Sequence, residues 1–205
     1  MESLGILFGS LARVKLMRHF LMNPDTKFTV NDLSVRSKIS LTILRRELLQ
    51  FKKANLVKET IITTTNSRGG VKKLKGIMLN PNFQHKKPLS ELILENSTLD
   101  RGALLRKMKK TGKLKLLVLS GILTGLTDGR LDILVVGKDI EGKKVDRTIR
   151  EIEAEIGREL TYAVFDTDDF VYRMNMYDKL IADVLDYPHE RLIDLISIST
   201  RRSVN

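Results

Sequence analysis

The chain has 205 residues, 36 Lys and Arg against 25 Asp and Glu, a net charge of +11 and no cysteine. Those figures exclude a disulfide framework, cysteine-ligated zinc, an iron–sulfur cluster and a thiol nucleophile, while an apolar fraction of 42% suffices to bury a core. The charge is segregated: residues 1–87 carry +12, residues 88–117 carry +4 and residues 118–205 carry −5, which points to two modules with different work and to a polyanionic partner for the first.

No apolar run approaches the roughly 18 residues of a membrane span, and the opening Met-Glu-Ser-Leu-Gly lacks the layout of a signal peptide. A cytoplasmic protein with no membrane partner is the expectation. Apolar spacing predicts a helix over residues 4–22, stopped by Asn23-Pro24-Asp25. A second helix is expected over Val30–Lys38 with Thr29 as its N-cap, and a third over Leu41–Ala54 capped by Ser40. The third buries Ile43, Leu44, Leu48 and Phe51 on one face and leaves Arg45, Arg46, Lys52 and Lys53 outside. The period then changes to that of strands. Leu56–Thr65 and Val71–Leu79 read as a hairpin around the turn Asn66–Gly70. Residues 88–96 form a short amphipathic helix with Pro88 at its first position. Its Leu89, Leu92 and Ile93 are candidates for a dimer seam or for the module's own core.

Three helices and a basic hairpin form the pattern of a winged helix-turn-helix. Residues 4–95, and above all the stretch LTILRRELLQFKKANLVKE, resemble the ArsR-like winged-helix transcriptional regulators. The resemblance implies double-stranded DNA as partner, a homodimer, Ser40, Thr42, Arg45 and Arg46 near bases or phosphates, and Arg68, Lys72 and Lys73 on the wing. Metal-sensing members use cysteine pairs, which this chain lacks. His19, His85 and His189 stand apart in sequence, so no metal and no cofactor are expected.

Beyond a basic helix over Leu99–Lys110, ended by Gly112, the elements alternate. Strands are expected at Leu114–Leu119, Arg130–Gly137 and Leu160–Phe165, and a glycine-bearing turn or short helical entry at Ser120–Gly125. Helices are expected at Lys144–Gly157, Asp168–Met174 and Tyr177–Leu185, with Leu192–Ile196 a final strand or helix. This small α/β module resembles the minimal nucleotidyltransferases over residues 113–195. The family's motif is Gly-Ser in a turn, then two aspartates one residue apart on the next strand, then a third carboxylate. Such paired carboxylates hold divalent metals on a nucleotide's phosphates. Here the turn reads Ser120-Gly121, Arg130 replaces the first aspartate and Asp132 matches the second. The third strand offers only Asp166, at its end. A guanidinium repels a divalent cation, so Asp132 is expected to pair with a cation or cap its strand. No catalytic residue is expected. Ser120, Gly121, Thr124, Arg130 and Asp132 line a vestigial pocket open to a nucleotide or a protein. Gly9-Ser10-Leu11-Ala12-Arg13 mimics the transferase motif, but no aspartate pair follows it.

The resulting expectation is an α+β chain. It has a winged-helix DNA-binding domain at 1–87, a helical connector at 88–112, a nucleotidyltransferase-like domain at 113–197 and a flexible tail at 198–205. Its expected work is that of a DNA-binding transcriptional regulator, with an inactive sensor or partner-binding domain. An active nucleotidyltransferase tethered to DNA and an antitoxin-like adaptor are the alternatives.

Overall fold

The computed structural model describes residues 2–65, 70–95, 99–125 and 129–196, and the fold is mixed α+β. It divides into two compact units. The first comprises Met1–Thr98 with Glu151–Arg158, the second Leu99–Arg150 with Glu159–Asn205. The connector expected at 88–112 is thereby shared between them. Among the described residues, no helix is long and apolar enough to cross a membrane.

The first unit opens with α1 (Glu2–Leu7) and α2 (Leu11–Met22). One helix was expected over 4–22, because the apolar period runs through the break. The break is local chemistry: Gly9 adopts φ +70°, and Ser10 caps α2 by accepting the Arg13 N–H at 3.2 Å. Next comes α3 (Val30–Ser37), with a reciprocal capping box between Thr29 and Asp32. Then follows α4 (Leu41–Lys53). Strands β1 (Val57–Thr65) and β2 (Val71–Leu79) pair antiparallel from Val57↔Leu79 to Thr65↔Val71. Phe28 adds a one-residue bridge, exchanging both backbone hydrogen bonds with Ile77. The turn residues 66–69 lie outside the described residues. After the hairpin, α5 (Lys86–Ser90) continues as a π-helical turn over Glu91–Glu95. Pro88 is the third residue of α5, not the first.

Phe20 is fully buried and meets Phe28 and Phe51 edge-on, with centroids at 6.0 and 6.3 Å. Val14, Leu33, Leu44, Ile77, Leu79 and Ile93 complete the core around it. Of the three seam candidates, Ile93 is therefore core, Leu89 packs against that core and Leu92 is 40% exposed. Arg18 is also buried. Its Nε donates to the Ile93 carbonyl at 3.3 Å and its Nη1 to the Glu155 carbonyl at 3.1 Å. Burial lowers its pKa, partly offset by the Glu155 carboxylate.

The second unit contains α6 (Arg101–Met108), β3 (Lys113–Leu119), a 3-10 turn at Gly121–Thr124 and β4 (Ile133–Lys138). α7 (Gly142–Ile156) contributes its residues up to Arg150 here and the remainder to the first unit. It is followed by β5 (Tyr162–Asp166), α8 (Thr167–Asn175), α9 (Lys179–Asp186) and β6 (Glu190–Asp194). The sheet order is β5-β4-β3-β6. β3 is antiparallel to both neighbours and β4 is parallel to β5. A parallel pair needs a long crossover, and α7 lies in that connection. Leu116, Val118, Leu134 and Val136 form a core with Phe170, Ile181 and Val184. The alternate residues Leu117, Leu119, Ile133 and Val135 are equally buried. Both faces of the central strands are therefore covered, which is why they read as continuous apolar runs. The final element is a strand. β4 starts at Ile133, so Arg130 and Asp132 precede the strand on which they were expected.

Candidate functional site

In the first unit the described residues expected to contact DNA lie at the start of α4, along it and on the hairpin. The α3–α4 turn is three residues long. Lys38 takes the left-handed φ of 55°, and Ile39 is buried with its carbonyl held by the Ser34 hydroxyl at 2.7 Å. α4 faces the core with Leu44, Leu48 and Phe51. Ile43, expected among them, is 39% exposed, and Glu47 takes the inward position. Glu47 is buried but paired: Arg13 Nε lies 2.8 Å from one of its oxygens, and Arg13 Nη1 also bonds the Phe8 carbonyl. The transferase-like stretch at 9–13 thus has a structural account. Its serine caps α2 and its arginine ties the start of that helix to α4.

Ser40, Thr42, Arg45 and Arg46 are all exposed on the remaining face. Ser40 occupies the N-cap position, but its hydroxyl makes no bond to the helix. Capping was expected. Arg46 Nη2 approaches Glu47 at 3.5 Å with 69% of its side chain exposed, a weak tether. On β2, exposed Lys72 and Lys73 lie opposite Thr64 and Thr63. Arg68 lies outside the described residues. Two further exposed cations, Lys58 on β1 and Lys75 on β2, were missed in the sequence. The strand period of two, counted from Lys73, puts Lys75 on the same face.

In the second unit a cavity of about 650 Å³ opens beside the 3-10 turn, lined by Ser120, Gly121, Arg130, Lys179, Asp183 and Tyr187 among others. Ser120 is buried. Its hydroxyl donates to the Leu131 carbonyl at 2.6 Å and its N–H to the Asp132 carbonyl at 2.9 Å. Thr124 donates to the Gly121 carbonyl at 3.1 Å and does not line the cavity. Arg130 reaches across to Asp183 at 2.8 Å.

Asp132 is also buried. One oxygen accepts the Ile122 N–H at 2.9 Å and the other the Thr161 N–H at 2.8 Å. A cation partner or a cap on its own strand was expected; among the described residues its partners are instead these two backbone N–H groups. It fastens the 3-10 turn to the start of β5. Gly121 has φ +54°, and a Cβ there would stand 2.3 Å from an Asp132 oxygen, so the position admits only glycine. Asp166 is the N-cap of α8, accepting the Asp168 N–H at 3.0 Å. Lys179, Asp183 and Tyr187 escaped the sequence reading, although a spacing of four places Lys179 and Asp183 on one side of α9, with Tyr187 just past its end.

No protein-family model and no curated protein matches the chain. Among the described residues, no three His, Asp or Glu side chains cluster as a metal site. His19 is buried, His85 precedes α5, and His189 bonds the Tyr187 carbonyl and Arg191.

Proposed function

We propose that the chain is a DNA-binding transcriptional regulator, with a first unit akin to the ArsR-like winged helices and a nucleotidyltransferase-like second unit that no longer transfers nucleotides. The observation that carries the reading is the division of α4. One stripe of the helix is consumed by the core, and the opposite face presents Ser40, Thr42, Arg45 and Arg46 to solvent. The three-residue turn between α3 and α4 and a following hairpin edged with lysines support the same reading. A recognition helix needs such an idle polar face, because base edges are read by side chains the fold does not use. An uncapped Ser40 leaves a hydroxyl and first-turn N–H groups available to a phosphate. Dimerisation on a two-fold site belongs to the same proposal.

For the second unit, the mixed sheet with a turn between two antiparallel strands supports the transferase-like reading. The loss of the reaction rests on Asp132, whose two oxygens are engaged by backbone N–H groups, and on Arg130, which lies where a second carboxylate belongs. The cavity then serves a nucleotide effector or a docking protein.

The test is binding of duplex selected from a random pool, measured across salt concentrations. Arg45→Ala with Arg46→Ala should weaken binding at least tenfold and shallow the salt slope, since each phosphate contact contributes about −0.9 to it. Full affinity in that variant rejects α4 as the reading element. Incorporation of labelled nucleotide by the wild-type chain, abolished by Asp132→Ala, would replace the regulator with an enzyme.

A further inference from the structure

The second unit carries a basic corner at the end of its sheet remote from the cavity. Four elements meet there. The Glu141 N–H bonds the Thr111 carbonyl at 2.7 Å, joining the entry to α7 to the exit from α6. Lys113 at the start of β3 stands directly opposite Lys138 at the end of β4. Residues 109–113 and 138–150 together hold eight Lys and Arg against three Asp and Glu, a local +5 in a unit whose other residues carry −2.

Two features of this corner work against the fold's own stability. Like charges directly opposite on paired strands repel, and Asp139, at 3.2 Å from Lys113, answers one of the two lysines. Helix α7 is also charged against its macrodipole. Its first turn has no acid and contains Lys143 and Lys144, followed by Arg147 and Arg150, whereas a helix N-terminus favours anions. The acids in the second half of α7 have partners in the first unit, where Glu151 lies 3.9 Å from Lys38. Lys144 pairs with Glu141, and Asp146 is taken by the Tyr162 hydroxyl, which leaves Lys138, Lys143 and Arg150 exposed.

An external polyanion offsets both penalties. We propose that this corner is a second, sequence-independent surface for the phosphates of duplex nucleic acid, separate from α4 and from the cavity. The inference rests on the DNA-binding reading for its choice of polyanion, but it uses different residues and fails separately.

The experiment uses the full chain, a 30-base-pair duplex of random sequence and anisotropy titrations from 50 to 300 mM salt. The variant reverses Lys109, Lys110, Lys138 and Lys143 to Glu, and a second variant replaces the same four with Arg. The Glu variant should bind at least tenfold more weakly with a shallower salt slope, while the Arg variant matches wild type. An unchanged slope in a Glu variant with the wild-type melting temperature overturns the proposal. If Arg45→Ala with Arg46→Ala leaves affinity intact while the Glu variant loses it, the corner stands and the α4 reading falls. Absence of duplex binding by the wild-type chain overturns both. Binding to phosphatidylglycerol vesicles but not duplex, lost in the Glu variant, overturns the nucleic-acid assignment in favour of an anionic membrane.

Discussion

The two carboxylate oxygens of Asp132 take N–H groups from Ile122 and Thr161, ten and 29 residues away in the chain. Hydrogen bonds to a charged acceptor contribute about 1.5–3 kcal/mol each, and their removal strands the donors. Asp132→Ala should therefore lower unfolding stability by about 2–4 kcal/mol in urea, with Asp132→Asn losing less because it keeps one acceptor. An unchanged urea midpoint would remove the fastening role. His19 makes the second prediction at this scale. Burial first, then the nearby Arg36 and Lys15 charges, hold its pKa down to about 4, against a hydrogen bond to Ala154 that raises it. Its Nε2 has no partner among the described residues. Between about pH 6.5 and 4 the unfolded chain binds the proton and the folded chain does not. Stability conferred by neutral His19 is thus complete above about 6.5 and is lost as pH falls toward 4, by on the order of 3 kcal/mol. His19→Gln should flatten that part of a stability–pH profile; an identical slope in both proteins contradicts the assignment.

Caps separate what is structural from what is free at the scale of elements. Thr29 and Ser40 look alike in sequence, each a hydroxyl before an apolar-periodic helix. Thr29 closes a capping box with Asp32, and Ser40 makes no bond to α4. Thr29→Ala should cost about 1 kcal/mol, and Ser40→Ala should stay within about 0.5 kcal/mol while weakening duplex binding. Equal thermal losses in the two variants would refute the distinction. The same contrast shows which features were legible. β2 begins and ends at the residues its composition marks, and α3 starts where Thr29 announces it. Strong local signals made them so. The division at Gly9 was hidden because Leu4, Leu7, Phe8 and Leu11 keep helical spacing across it. The late start of β4 was hidden because Asp132 bonds backbone groups from distant segments. The cations of α4 were readable as a face, while the cavity's Lys179 and Asp183 acquire meaning only once α9 is brought beside Arg130.

For the whole molecule, the charge step near residue 117 suggests two modules laid end to end. The first unit is instead discontinuous, since it incorporates residues 151–158. That segment carries Glu151, Glu153 and Glu155 into a basic unit. It also supplies backbone acceptors: the Glu155 carbonyl for the buried Arg18 guanidinium and the Gly157 carbonyl for Asn23, at 3.1 and 2.7 Å. A guanidinium is among the most costly groups to leave buried without acceptors. A chain ending at residue 98 therefore loses a partner of Arg18 and the Ala154 contact of His19. Such a fragment should unfold about 2–4 kcal/mol more easily than the first unit of the full chain, followed by denaturant melts monitored through hydrogen exchange at Phe20 and Leu44. Arg18→Met should cost the full chain more than the fragment, because only the full chain offers the guanidinium the Glu155 carbonyl. Equal effects in both would mean that residues 1–98 fold as a self-sufficient domain.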